Sequence, residues 1–298
     1  MLEQAMILLR TTRPAFLVLT PVCIYLGFGA AISAGAHPDN GLLWAVLVAA
    51  LSAHISVNTL NEYEDFRSGL DSRTRKTAFS GGSGALPAQP EMAGKVLLLG
   101  IMSLLLTISI GLFVASLREL LLPIGLAGVL LIITYTRWLN LFPLLCLVAP
   151  GLGFGLLMVP GTYLIVAGEL AGFPWYSALV TFFVLNNLLL LNQYPDMEAD
   201  AGAGRRTFPI VYGVRGSNLV YGFFVLAASS LIVAGTVNGQ FPGLAYISLM
   251  PQTGALFALY GAIQWGEAIG SRPQYLAANV AAAITTPLLL ATAILYGG

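Results

Sequence analysis

The chain has 298 residues, 57% of them hydrophobic and 9% charged, and its thirteen basic residues balance its thirteen acids. A soluble domain carries about 25% charged residues, so this composition excludes an ordinary water-soluble globule and points to a multi-spanning membrane protein. The zero formal charge gives no bulk attraction to nucleic acid, and none is expected as a partner.

Nine segments come close to or exceed the roughly 20 apolar residues that a helix needs to cross a bilayer: 14–34, 41–60, 95–115, 119–136, 141–168, 174–194, 217–238, 242–265 and 275–296. They predict an all-α polytopic bundle, with residues 1–298 forming a single membrane domain. The fourth is the shortest. The first is too long for a signal-peptide core despite the "SAGA" that follows it, and reads as a mature helix. Cys23 and Cys146 fall inside spans, where a thiol is a small packing group. Prolines recur within spans (Pro21, Pro150, Pro160, Pro251, Pro287), which membrane helices tolerate when neighbours satisfy the freed backbone groups. With the N-terminus inside, twelve of the thirteen basic residues lie on the inner side and only Arg118 lies outside. That asymmetry is the mark of cytoplasmic loops, so the expectation is a plasma-membrane or inner-membrane protein with a cytoplasmic N-terminus.

Two charged blocks interrupt the apolar pattern: "LNEYEDFRSGLDSRTRKT" (60–77) and "LNQYPDMEADAGAGRRT" (191–207). Seven of the thirteen acids fall in them: Glu62, Glu64, Asp65, Asp71, Asp196, Glu198 and Asp200. Both begin at the inner end of a span, the second and the sixth. Both share Leu-Asn-x-Tyr-x-Asp, and both close on a basic pair and a threonine, Arg75-Lys76-Thr77 and Arg205-Arg206-Thr207. The pattern is an internal repeat in two halves, with motifs at 58–77 and 191–207. At about 100° per residue, His54, Asn58, Asn61 and Asp65 share one stripe of a helix, and Asn192, Asp196 and Asp200 climb another at intervals of four, with Pro195 as the place where that helix can bend.

A charged carboxylate at the bilayer centre costs about 2.5–3.5 kcal/mol on insertion scales, so a group of them requires counter-charge. Carboxylates with amide oxygens nearby make a hard, oxygen-only site that suits Mg²⁺, an ion usually held by one or two carboxylates together with substrate phosphates. The bases just beyond the acids would bind the same phosphate oxygens, and the "SGGSG" at 80–84 offers backbone N–H groups as well. Acids, bases and membrane burial together suggest a diphosphate carried on a lipid.

These residues resemble the UbiA superfamily of intramembrane prenyltransferases, nine-helix bundles with two aspartate-rich motifs at the cytoplasmic ends of the second and sixth helices. The resemblance implies a central cavity open to the cytoplasmic side. It also implies Mg²⁺, as two ions, held by Asn61, Asp65 and Asp71 from one motif and Asn192, Asp196 and Asp200 from the other. Asp65, Asp196 and Asp200 are the catalytic candidates. Arg75, Lys76, Arg205 and Arg206 are the diphosphate-binding candidates, and Asn58, Arg13, Arg137 and Tyr194 the acceptor-binding ones. Two positions depart from the common pattern: Glu62 stands where many members have Asp, and Gly69 precedes Asp71 in a Gly-x-Asp arrangement. The latter, with "AGAGRRT", is more like the naphthoate branch.

The implied reaction moves a prenyl group from a prenyl diphosphate to a small aromatic acceptor, of the dihydroxynaphthoate kind in the implied branch, with membrane lipid around the site. Hydroxybenzoate, glycerol-lipid and tetrapyrrole acceptors are the alternatives. From another class, a secondary transporter with an intramembrane acidic site also shows internal repeats, but its polar groups belong near the midplane and these lie at helix ends. A phosphatidyltransferase signature needs Asp-Gly and Ala-Arg ahead of its aspartates, and "LLLLNQYP" precedes Asp196 instead.

Overall fold

The computed structural model describes residues 2–74, 76, 77, 79–135 and 137–297, and every regular element among them is helical. In chain order these are α1 (Leu2–Thr11), α2 (Pro14–Ser33), α3 (Asn40–Arg67), α4 (Pro90–Leu117), α5 (Leu121–Tyr135), α6 (Pro143–Ala167), α7 (Trp175–Gly202), α8 (Phe208–Val237), α9 (Met250–Trp265) and α10 (Pro273–Tyr296). Among the described residues, seven are long and apolar enough to cross a membrane; α1, α5 and α9 are not. The fourth expected segment is the 15-residue α5. The eighth is divided between a 3-10 turn, Gly243–Leu249, and the 16-residue α9.

Local chemistry sets the ends of the helices that matter for function. Asp39 caps α3, accepting the N–H groups of Gly41 and Leu42 at 2.8 and 3.1 Å. The helix then runs for 28 residues, about 42 Å at 1.5 Å per residue, against a hydrocarbon core of about 30 Å. Its acidic last turns are therefore free to project past the lipid tails, and the first charged block is helical as far as Arg67. The second block differs. Pro195 cannot donate to the helix, so α7 tightens into a 3-10 turn over Tyr194–Asp196 before resuming at Met197. Asn192, Asp196 and Asp200 thus share a wall across a helix that tightens at Pro195. α8 begins nine residues before its expected boundary and is broken once, at Gly213 (φ 71°, ψ 170°).

α6 widens after Pro150 into a π-helical stretch, Gly151–Met158. Asn186 of α7 accepts the Gly151 N–H at 2.7 Å, so a buried backbone donor keeps a partner. Gly155 lets the two helices meet: a Cβ there would sit 2.6 Å from the Phe182 backbone nitrogen. Cys23, Leu26, Tyr163, Leu185, Ile232 and Leu290 anchor one apolar core, and Leu190, Tyr221, Ala258 and Leu276 a second. Cys23 and Cys146 are both buried and unbridged, as expected of packing residues.

Candidate active site

A cavity of about 680 Å³ runs between α3, α4, α5 and α6. Its lining on α3 extends from Val46 to Asp65, about 28 Å of helix rise. Most of the wall is apolar, with Gly111 on α4 and Gly125 and Gly128 on α5 facing open space. The polar groups gather at one end.

There the two charged blocks meet. Arg205 donates to Asp200 Oδ1 at 3.0 Å and also to Asp65 Oδ1, so one guanidinium joins an aspartate of the second motif to one of the first. Burial opposes the charge on Arg205, but Asp65 and Asp200 outweigh it and hold its pKa above the ordinary value. Asn61 donates to Asp65 Oδ2 at 2.9 Å. The glycine loop straps the two blocks together from the other side: the Gly81 N–H reaches Asp196 Oδ2 at 3.1 Å, and the Ser83 N–H and Oγ reach the two Glu62 oxygens, each at 2.7 Å. Two of the loop's N–H donors are therefore committed to carboxylates, and the loop acts as a strap more than as an anion nest.

Of the residues singled out from sequence, Asn58, Asn61, Asp65, Asp71, Asn192, Asp196, Asp200, Arg205 and Arg13 line the cavity. Asn58 also donates to the Thr12 carbonyl at 2.8 Å, tying α3 to the start of α2. Four others do not line it. Tyr194 is buried in the second core and donates to Asn218 Oδ1 at 2.8 Å, so its hydroxyl is already used inside the protein. Arg137 is exposed on the turn after α5, Arg206 is exposed, and Lys76 is exposed and lies over Gly84. Arg75 lies outside the described residues. Tyr135, Asn140, Cys146 and Thr207 were not among the residues singled out for the site, yet all line it, together with Ser80 of the glycine run. Of those four, Thr207 alone had a signal, as the threonine that closes the second block.

Glu62 is reassigned by its surroundings. It is fully buried, and Arg13 donates to its Oε1 from Nε at 3.0 Å and from a terminal nitrogen at 2.8 Å. Both of its oxygens are engaged within the protein.

The donor set fits a hard cation. Asp71 Oδ2, Asp196 Oδ1 and Asn192 Oδ1 are buried oxygens without a hydrogen-bond partner, a costly state that a hard cation relieves. Among the described residues no three carboxylate, histidine or cysteine side chains are grouped closely enough to hold a metal by themselves.

Asp71, on the loop after α3, carries a measurable consequence. Burial, then the charges of Glu62 and Asp65, push its carboxyl up to about 7 against the pull of Arg13 and Lys76. The folded state then holds this proton more tightly than the unfolded chain, whose Asp titrates near 3.9. Stability should therefore fall as pH rises between about 4 and about 7. In chelator, the melting temperature in detergent is expected to drop from about pH 5 to about pH 7.5, and Asp71→Asn to flatten that drop. A melting temperature that rises over this window in the wild type, or an unchanged profile in Asp71→Asn, would contradict the assignment.

An α-helical bundle whose apolar cavity carries two facing aspartate blocks at its polar end defines a class: helical membrane proteins with an acidic site suited to a hard cation. The UbiA prenyltransferase family matches residues 20–268. The chain belongs to that family and is a prenyltransferase of the membrane. Among curated relatives it is 26% identical to a 1,4-dihydroxy-2-naphthoate octaprenyltransferase of Haemophilus influenzae, over 74% of this chain and 73% of that one. It is 29% identical to the enzyme of the same name in Bacillus subtilis (78% and 72%). It is 27% identical to a digeranylgeranylglyceryl phosphate synthase of Methanoculleus marisnigri (80% and 80%). Its fold is similar to that of a UbiA homolog from Archaeoglobus fulgidus bound to DMAPP and Mg²⁺, with 15% identity, a TM-score of 0.63 and 94% and 98% of the two chains covered.

Proposed function

We propose that this prenyltransferase moves a prenyl group from a prenyl diphosphate to an aromatic quinone precursor of the dihydroxynaphthoate kind, with Mg²⁺ as two ions. The observation that carries the reading is the Arg205 bridge between Asp65 and Asp200, which joins both motifs at the polar end of one apolar cavity. The names of two relatives support the acceptor. A glycerol-lipid acceptor is the second reading, favoured by the similarity to the glyceryl phosphate synthase. In this proposal the chain is one domain of two pseudo-repeated halves crossing the membrane nine times, with α5 and the segment 243–265 as the short crossings. The N-terminus and the mouth of the cavity face the cytoplasm, which the distribution of basic residues supports.

Each part of the wall then has a role. Asp65, Asp71, Asn61, Asp196, Asp200 and Asn192 would hold the cations. Mg²⁺, when bound, supplies positive charge that stabilises the diphosphate as a leaving group. Arg205 lies between the motifs, where it orients Asp65 and Asp200 and adds charge beside the phosphates; Lys76, Arg206 and Arg75 are proposed as further donors to them at the rim. The allylic C–O bond breaks, the electron pair leaves with the diphosphate, and a ring carbon of the acceptor forms the new C–C bond as the ring loses its proton. The apolar wall between α4, α5 and α6 houses the prenyl tail and keeps water from the allylic cation. Arg13 and Asn58 border the acceptor, with Arg137 as a more remote candidate; Tyr194, packed in the second core, takes a structural role instead.

The test uses purified protein with Mg²⁺, prenyl diphosphates of several lengths and three acceptors: dihydroxynaphthoate, hydroxybenzoate and a glyceryl phosphate lipid. Products are read by mass. Prenylated naphthoate is the expected product, and excess chelator should abolish it. Transfer only to the glyceryl lipid would establish the second reading, and full activity in chelator would remove the cation from the mechanism.

A further inference from the structure

Each charged block ends on a threonine after its basic pair, Thr77 and Thr207, and the two are not equivalent in the fold. Thr77 Oγ1 accepts the N–H groups of Phe79 and Ser80 at 3.1 and 2.9 Å and shares a hydrogen bond with Ser80 Oγ at 2.9 Å. Its hydroxyl is consumed in shaping the glycine loop. Thr207 occupies the N-cap of α8, where a threonine normally accepts an N–H from the second or third helical residue. It makes no such bond. The second residue is Pro209, which has no N–H to give. Thr207 is only 2% exposed, its Oγ1 is buried without a partner, and it lines the cavity beside Arg205 and Asn140.

A buried hydroxyl with no partner is unfavourable, so the position is explained if a ligand completes it. A threonine hydroxyl both donates and accepts, and its surroundings select between the two. Arg205 stands two residues away on the same wall, and the anionic group expected at this end of the cavity is the diphosphate. Gly213 interrupts α8 only a few residues on, so the hydroxyl, and not a helix dipole, supplies the contact. We propose that Thr207 donates a hydrogen bond to an oxygen of the prenyl donor's diphosphate, making it a donor-binding residue of the second half whose counterpart in the first half has become structural. This rests on the prenyltransferase reading above.

The experiment measures binding of inorganic pyrophosphate with Mg²⁺ by calorimetry on the purified protein, and KM for prenyl diphosphate and for acceptor, in wild type, Thr207→Val and Thr207→Ser. A hydrogen bond to a charged group is worth about 1.5–3 kcal/mol, so Val is expected to weaken pyrophosphate about tenfold or more. Ser should restore it, the acceptor KM should hold, and the melting temperature without ligand should stay level or rise, because Val removes an unpaired buried hydroxyl. Unchanged pyrophosphate affinity in Val, a rise confined to the acceptor KM, or a fall in ligand-free melting temperature would each overturn the assignment. A wild-type protein that transfers no prenyl group and binds no pyrophosphate would instead overturn the underlying donor reading, and this assignment with it.

Discussion

Replacing Asp196 with Asn is expected to lower kcat/KM for prenyl transfer by about a thousandfold or more, while the protein stays folded. Asp196 Oδ2 accepts the Gly81 N–H, and its Oδ1 is buried with no partner. Asn keeps the shape and retains an oxygen for Gly81, so the strap between the blocks survives. What it removes is the negative charge. A thousandfold corresponds to about 4 kcal/mol of barrier, within the several kcal/mol that a positioned divalent charge contributes at a leaving group. Initial rates across a Mg²⁺ series, with circular dichroism on the same samples, separate lost chemistry from lost fold. A folded variant within about tenfold of wild type would remove Asp196 from the cation site.

Glu62→Ala is expected to cost about 3 kcal/mol of stability and to lower the melting temperature by about 6–12 °C. Glu62 has no exposed surface and accepts from Arg13 and from Ser83. Arg13 is itself the one non-glycine with positive φ among the described residues, at φ 53° and ψ 64°. A left-handed backbone at an ordinary residue costs about 1–2 kcal/mol, and the residue before a proline is further restricted. The ion pair is what holds that turn. Truncating Glu62 leaves a partly buried guanidinium and a backbone donor unpaired together, whereas Glu62→Gln keeps oxygen and shape and should cost less. The Arg13→Ala, Glu62→Ala double variant should lose less than the sum of the two single losses, because each removes the other's uncompensated charge. A Glu62→Ala protein that melts with the wild type would show that the pair contributes nothing.

Much of the site was legible because the bilayer makes charges conspicuous. Seven acids in two repeated blocks, each at the inner end of a span, single out Asp65, Asp196 and Asp200 by spacing alone. The same economy of charge made the span positions readable: most expected spans coincide with a helix of the bundle, and the shortest is the 15-residue α5. Interval counting succeeds along α3, where one continuous helix carries His54, Asn58, Asn61 and Asp65 onto one wall. It also succeeds along α7: although Pro195 tightens the helix into a 3-10 turn, Asn192, Asp196 and Asp200 all line the cavity, and Tyr194, two residues from Asn192, packs in the core.

The roles of Glu62 and Thr207 were not legible. A buried carboxylate reads the same in sequence whether it meets a cation or a guanidinium 49 positions away. Likewise, two threonines in matching places read alike although one is consumed by its own loop and the other is left open. The amino-acid sequence by itself determined that this chain lives in a membrane, where its helices fall, and which acids form its two blocks, because each of these follows from hydropathy and spacing along one helix. Only the tertiary structure decided that the blocks meet through Arg205, that Glu62 belongs to Arg13, and that Thr207 is free, because each depends on which side chains remote helices bring within hydrogen-bonding distance.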